Sequence, residues 1–219
     1  MARAAQHVEP IKDPRPRSLT VIHGFGGGPP GTVARQPVIH NLQIGVLVFI
    51  AFEIMAFSGL ITAYLVLRAG SFAWPPPDLP RLPVAVTWVN TSVLLFSAYT
   101  MWRALKAIRV GSQSGLRSAL LVTAVLGSIF LIVQGTEWVQ LVHRGLTLSS
   151  SVYGATFYTL IGLHGLHVVG AVVWLLAVLG LAYRARFTAK AHVGVTVCAM
   201  YWYFVCGLWV VLFPLVYLY

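Results

Sequence analysis

Two histidines, His164 and His167, stand three residues apart inside the uncharged apolar run Ser149–Gly170. At that spacing they share one face of a helix. Two glutamates, Glu53 and Glu137, sit in apolar runs of their own. Ionisable groups in such surroundings are costly, and they usually face a bundle interior where they pair or relay protons. A carboxylate and an imidazole suit each other, because each favours the charged form of its partner. At about 1.5 Å per residue, Glu53 falls roughly 20 Å from the inner end of its run. His164 and His167 fall roughly 18 and 22 Å from the outer end of theirs. This matching depth predicts that Glu53 meets His164 or His167. The plainer alternative is that each side chain bonds a backbone carbonyl or a serine on a neighbouring helix. Glu137 lies close to the outer end of its run.

The His-x-x-His pair could also offer two nitrogens to a metal ion, but a metal site usually needs three or four ligands. The other histidines, His7, His23, His40, His143 and His192, lie near run ends or in the N-terminal tail, leaving Glu53 as the one candidate third ligand. No metal site is assigned. Asn41, Gln43, Glu53, Ser58 and Thr62 suggest a polar line along one run, although serine and threonine in membrane helices commonly bond their own backbone. Cys198 and Cys206 share one apolar segment with no metal or redox spacing and read as small buried thiols. No phosphate loop, catalytic triad or nucleotide fingerprint is present, and no catalytic residue is assigned.

The elements that must position these groups are membrane helices. Hydrophobic residues make up 58% of the 219 residues and charged residues 9%. That balance is far from a soluble average. Five runs reach the roughly 20 apolar residues a bilayer crossing needs. They cover about 39–67, 84–108, 116–142, 152–183 and 191–218. The expected fold class is all-α, a polytopic bundle of five transmembrane helices over residues 39–219. The runs lack the short alternation of a membrane barrel. Residues 1–38, rich in proline and glycine, read as a flexible tail without the features of a cleavable signal peptide. Trp74-Pro75-Pro76-Pro77 stiffens the connection after the first run. Gly162, Gly165 and Gly170 suit close helix packing.

The net charge of +10 reflects basic residues bracketing apolar segments, not nucleic-acid binding. Arg3, Lys12, Arg15, Arg17, Arg35, Arg103, Lys106, Arg109, Arg117, Arg184, Arg186 and Lys190 fall on one side, against Arg68, Arg81 and Arg144 on the other. The positive-inside rule then sets the N-terminus in the cytoplasm and the C-terminus outside. Trp74, Trp88, Trp138, Tyr217 and Tyr219 read as interface anchors.

Several ordered motifs run along the chain: Val89-Asn90-Thr91-Ser92-Val93-Leu94-Leu95, Gln134-Gly135-Thr136-Glu137-Trp138, and Val152-Tyr153-Gly154-Ala155-Thr156-Phe157-Tyr158. They continue through Gly162-Leu163-His164-Gly165-Leu166-His167-Val168 to Tyr201-Trp202-Tyr203-Phe204-Val205 with Trp209. On these residues the chain, from about Pro37 to Tyr219, resembles subunit III of the haem–copper oxidases. Glu53 stands where that family has its carbodiimide-reactive membrane glutamate. The chain departs from the family at Phe52, where serine is common, at Tyr203, where histidine is usual, and at Cys206, where aspartate is usual. It is similar to the five-helix bacterial form.

The resemblance implies a non-catalytic subunit of a proton-pumping oxidase carrying electrons from cytochrome c to oxygen. Haem and copper belong to partner subunits and none to this chain. It further implies subunit I as main contact, subunit II and other respiratory subunits nearby, bound phospholipid, and a bacterial inner (plasma) membrane location. Glu53, Glu137, His164 and His167 become the proton-related or structural polar groups. Gly162, Gly165 and Asn90 become helix-packing residues, and Arg68, Trp74 and Arg103 lipid-contact candidates. Alternatives are subunit III of a quinol oxidase, an accessory protein of a nitric oxide reductase, and a free-standing transporter using Glu53.

Overall fold

The computed structural model describes residues 41–76 and 82–218. The N-terminal tail, Pro77 to Arg81, and Tyr219 lie outside the described residues. Five α-helices follow in chain order: α1 Asn41–Ala69, α2 Val84–Arg109, α3 Gln113–His143, α4 Val152–Tyr183 and α5 Val193–Phe213, closed by a π-helical turn at Pro214–Leu218. All five are long and apolar enough to cross a membrane. α4 begins and ends at the residues expected from its run, whereas α3 starts three residues earlier than expected, at Gln113. Ser112 explains the earlier start: its Oγ accepts from the Gly115 N–H at 3.2 Å, an N-cap that polar sequence would hide from a hydropathy scan. Ser151 caps α4 in the same way, accepting from Gly154 N at 3.0 Å.

The last run does not remain α-helical to its end. Pro214 has no N–H to donate and its ring crowds the preceding turn, so the ladder widens into a π turn there. Tyr217, expected at the membrane rim, is turned inward by this segment and is buried.

α2, α3, α4 and α5 pack as a ring: α2 on α3, α3 on α4, α4 on α5, and α5 on α2. Their shared core includes Leu94, Met101, Phe130, Trp202 and Trp209, all at most 1% exposed. Polar residues inside the ring bond across it. Asn90 Nδ2 donates to the Phe130 carbonyl at 3.1 Å, Trp202 Nε1 to Ser97 Oγ at 3.1 Å, and Trp209 Nε1 to Thr91 Oγ1 at 2.9 Å. Thr100 and Thr123 hydroxyls meet at 2.8 Å. With no hydrophobic drive between helices in lipid, such bonds and close packing hold the ring together.

α1 lies outside that ring, against α4 and α5. Only 6% of its most apolar window is buried, against 33–56% for the other helices. Its inner seam is Val46, Ile50, Glu53, Phe57, Leu60 and Tyr64, alternately four and three residues apart. That is the narrow stripe of a coiled-coil contact. Glu53 therefore occupies a seam position where an apolar side chain would otherwise stand.

Candidate functional site

The seam position brings Glu53 to α4. Its Oε2 lies 2.9 Å from His167 Nε2, with each side chain 17% exposed. The other ring nitrogen, Nδ1, lies 2.7 Å from the carbonyl of Leu163, one turn earlier on α4. Phe57, one turn further along α1, sets its ring edge-on to the imidazole at 5.3 Å. Glu53 thus meets one of its two expected partners, His167, and not His164.

This geometry fixes the tautomer by inference. A carbonyl only accepts, so Nδ1 carries a hydrogen. Nε2 then faces Glu53 in one of two ways. It donates from an imidazolium to a carboxylate, or it accepts from a carboxylic acid. Both forms hold the same single proton between the residues and carry no net charge. In either arrangement the two side chains together carry no net charge, the cheapest way to keep two such groups inside a bilayer.

His164 points elsewhere, as the close spacing did not reveal. It is wholly buried, its ring stacked on Trp209 at 5.3 Å, and both ring nitrogens lack a hydrogen-bond partner among the described residues. Three residues advance a helix by about 300°, enough for one histidine to face α1 and the other α5. The pair does not converge on a metal. His167 spends both nitrogens on Leu163 and Glu53, and no group of three potential ligands occurs among the described residues. These residues do not suit a haem or copper ion, and no redox step is assigned to them. Cys198 and Cys206 are free and buried in α5.

Glu137 belongs to a separate polar cluster near the C-terminal end of α3. Thr87 Oγ1 of α2 donates to Glu137 Oε2 at 3.3 Å. Gln134 Nε2 reaches the same oxygen at 3.5 Å and donates to the Tyr217 hydroxyl at 3.0 Å. Glu137 is 5% exposed. Thr87 and Tyr217 escape a sequence reading because nothing in their local spacing marks them. Gln134 could be found from its place three residues before Glu137.

The remaining candidates sit as follows. A Cβ added to Gly165 would lie 2.7 Å from Trp138 Cη2, so the glycine admits the indole against α4. The same construction at Gly162 and Gly170 meets nothing within 4 Å. Arg68 Nη1 donates to the Leu215 carbonyl at 3.5 Å. Trp74 is half-buried, its Nε1 donating to Tyr64 Oη at 3.3 Å and its ring edge-on to Tyr64 and Tyr153. Arg103 is exposed on α2. Ser58 and Thr62 bond the carbonyls of Ile54 and Ser58 on their own helix at 2.7 and 2.8 Å, and so extend no polar line from Glu53.

The family model described as cytochrome c oxidase subunit III matches residues 31–219. The chain belongs to the cytochrome c oxidase subunit III family. A relative from Synechocystis sp., named cytochrome c oxidase subunit 3, is 38% identical over 180 residues, which is 80% of this chain and 75% of the relative. A protein from Nocardia farcinica, named probable cytochrome c oxidase subunit 3, is 34% identical over 196 residues, covering 87% and 96% respectively. Cytochrome c oxidase subunit 3 of Rattus norvegicus is 32% identical over 188 residues, covering 83% and 71%. Family membership makes the chain a multi-pass membrane component of an oxidase complex.

Proposed function

We propose that this chain is the non-catalytic subunit III of a proton-pumping haem–copper terminal oxidase of a bacterial plasma membrane, working between cytochrome c and oxygen. It packs against subunit I, holds phospholipid and helps sustain proton uptake. The N-terminus is cytoplasmic and the C-terminus outside, as the distribution of basic residues supports. The single observation that carries the proton-related role is the 2.9 Å contact of Glu53 with His167.

The chemistry follows from that contact. A bilayer resists net charge, so a group that accepts a proton there must give one up nearly at once. The Glu53–His167 pair holds one proton in two arrangements of equal net charge, and the Leu163 carbonyl keeps the imidazole oriented for both. A proton delivered to the pair displaces another, so the pair acts as a store and exchanger. It supplies no electrons and binds no substrate. The oxidoreductase chemistry is assigned to haem and copper in partner subunits, which bind neither Glu53 nor His167 in this scheme.

Purification from native membranes in mild detergent tests this reading. The expected result is a complex with a haem difference spectrum, a many-helix catalytic chain, and oxygen uptake driven by cytochrome c. Uptake driven by quinol alone, or nitric oxide reduction, would move the chain to the corresponding alternative complex. A colourless, solitary chain would overturn the subunit assignment.

A further inference from the structure

Apolar burial gives α1 no reason to prefer one rotation over another. Leu47, Phe49, Phe52, Ile54 and Met55 look outward, and such residues suit lipid as well as they suit a protein wall. The buried residues of α1 are Val46, Phe57 and Tyr64. The first two are apolar, so lipid removes most of the drive that would hold them against a neighbouring helix. Tyr64 differs in carrying a hydroxyl. It is 2% exposed, and its Oη donates to the Leu215 carbonyl at 3.4 Å while accepting from Trp74 Nε1 at 3.3 Å. Its ring meets Trp74 edge-on at 5.6 Å, and Trp74 meets Tyr153 of α4 edge-on at 5.1 Å. Three rings thus bridge α1, the segment that follows it and α4. The Tyr64 hydroxyl extends the bridge to the π-helical turn after α5. Edge-to-face pairs of this kind stabilise beyond their buried area and favour one geometry.

Beside Tyr64 a cavity of about 150 Å³ separates α1 from α4, with Leu60, Ala63, Thr156 and Thr159 in its lining. Packing is incomplete along this stretch and does not by itself fix the helix. Glu53 and Tyr64 are eleven residues apart, which is three turns plus about 20°, and roughly 16 Å along the axis. They therefore lie on one stripe of α1. Two directional contacts at that separation set both the rotation and the tilt of a helix that apolar packing leaves free. Glu53 depends on that setting, because a rotation by one residue's arc, about 100°, would turn its carboxyl from His167 into lipid. We infer that Tyr64 is a positioning residue for Glu53: latched by Trp74 and Tyr153, it holds α1 at the rotation that aims the Glu53 carboxyl at His167. The inference rests on the proton-exchange reading of Glu53 only where turnover is measured.

The test compares Tyr64→Leu with Tyr64→Phe in the complete complex in native membranes. A lipid-soluble carbodiimide is the probe, and peptide mapping counts its adducts at Glu53 and at Glu137. Tyr64→Leu should raise the labelling rate at Glu53 about tenfold, the effect of losing the edge contacts, and leave Glu137 unchanged. Tyr64→Phe keeps the ring contacts and loses only those of the hydroxyl, so it should stay closer to wild type. Trp74→Leu removes the middle ring without altering α1 and serves if Tyr64→Leu does not accumulate. Turnover supplies a second readout. Tyr64→Leu should hasten the decline of sustained turnover in a wild-type background and add nothing in a Glu53→Gln background, whereas a general loss of packing would add in both. An unchanged rate at Glu53, equal acceleration at Glu137, or additive turnover losses would each overturn the positioning role. If Glu53→Gln itself turns over like wild type, the proton-exchange reading fails and the labelling rates alone decide the role of Tyr64.

Discussion

Glu53 Oε2 and His167 Nε2, 2.9 Å apart, join the peripheral helix α1 to α4 within an otherwise apolar seam. Removing one partner strands the other in lipid, whereas removing both leaves a plain apolar contact. Glu53→Leu or His167→Leu alone should therefore lower the unfolding stability of the detergent-solubilised complex by about 3 kcal/mol or more. The double variant should be recovered close to wild type. Thermal unfolding of the four proteins forms the cycle, and strictly additive losses would show that the two side chains do not act on each other.

The pair also predicts selective chemistry. A hydrophobic carbodiimide attacks a protonated carboxyl that it can reach from lipid. Glu53 is 17% exposed in its side chain on the outlying helix α1, whereas Glu137 is 5% exposed and enclosed by Thr87 and Gln134. Peptide mapping after treatment should find the adduct on Glu53 well before Glu137, and His167→Leu should alter the rate at Glu53 but not at Glu137.

Glycines divide into those that packing requires and those it does not. A Cβ on Gly127 would lie 2.4 Å from Trp202 Cη2, and Trp202 is fully buried in the ring core. Gly127→Ala should cost roughly 1–3 kcal/mol through overpacking. Gly180, also in a helix, has nothing within 4 Å of the same construction, so Gly180→Ala should be neutral or stabilising by up to about 1 kcal/mol. Melting temperatures of the two variants decide the point, with equal shifts counting against the packing.

Much of the fold is readable in the chain because lipid imposes one rule: long apolar runs must be helices. Hence α4 is placed to the residue, and Glu53 and His167 are found from their cost in lipid. What resists reading is direction around the helix axis. His164 and His167 look equivalent at a spacing of three, yet one faces Trp209 and the other Glu53. Only the packing of α1 and α5 against neighbouring faces of α4 separates them. Tyr217 is missed because Pro214 shifts the last turn to a π geometry, which reorients everything after it. Thr87 joins Glu137 across fifty residues of chain, a contact that no local pattern encodes.

Sustained turnover of the Glu53→Gln complex tests the proton-exchange role most directly. Glutamine keeps a hydrogen bond to the His167 ring but cannot hold or release the shared proton. Oxygen consumption and proton release, followed together over many turnovers in sealed vesicles, should show normal assembly and initial rate for the variant. The rate or the proton yield should then decline faster than in wild type. A variant that matches wild type in both throughout would contradict the account and leave the Glu53–His167 pair as a packing contact.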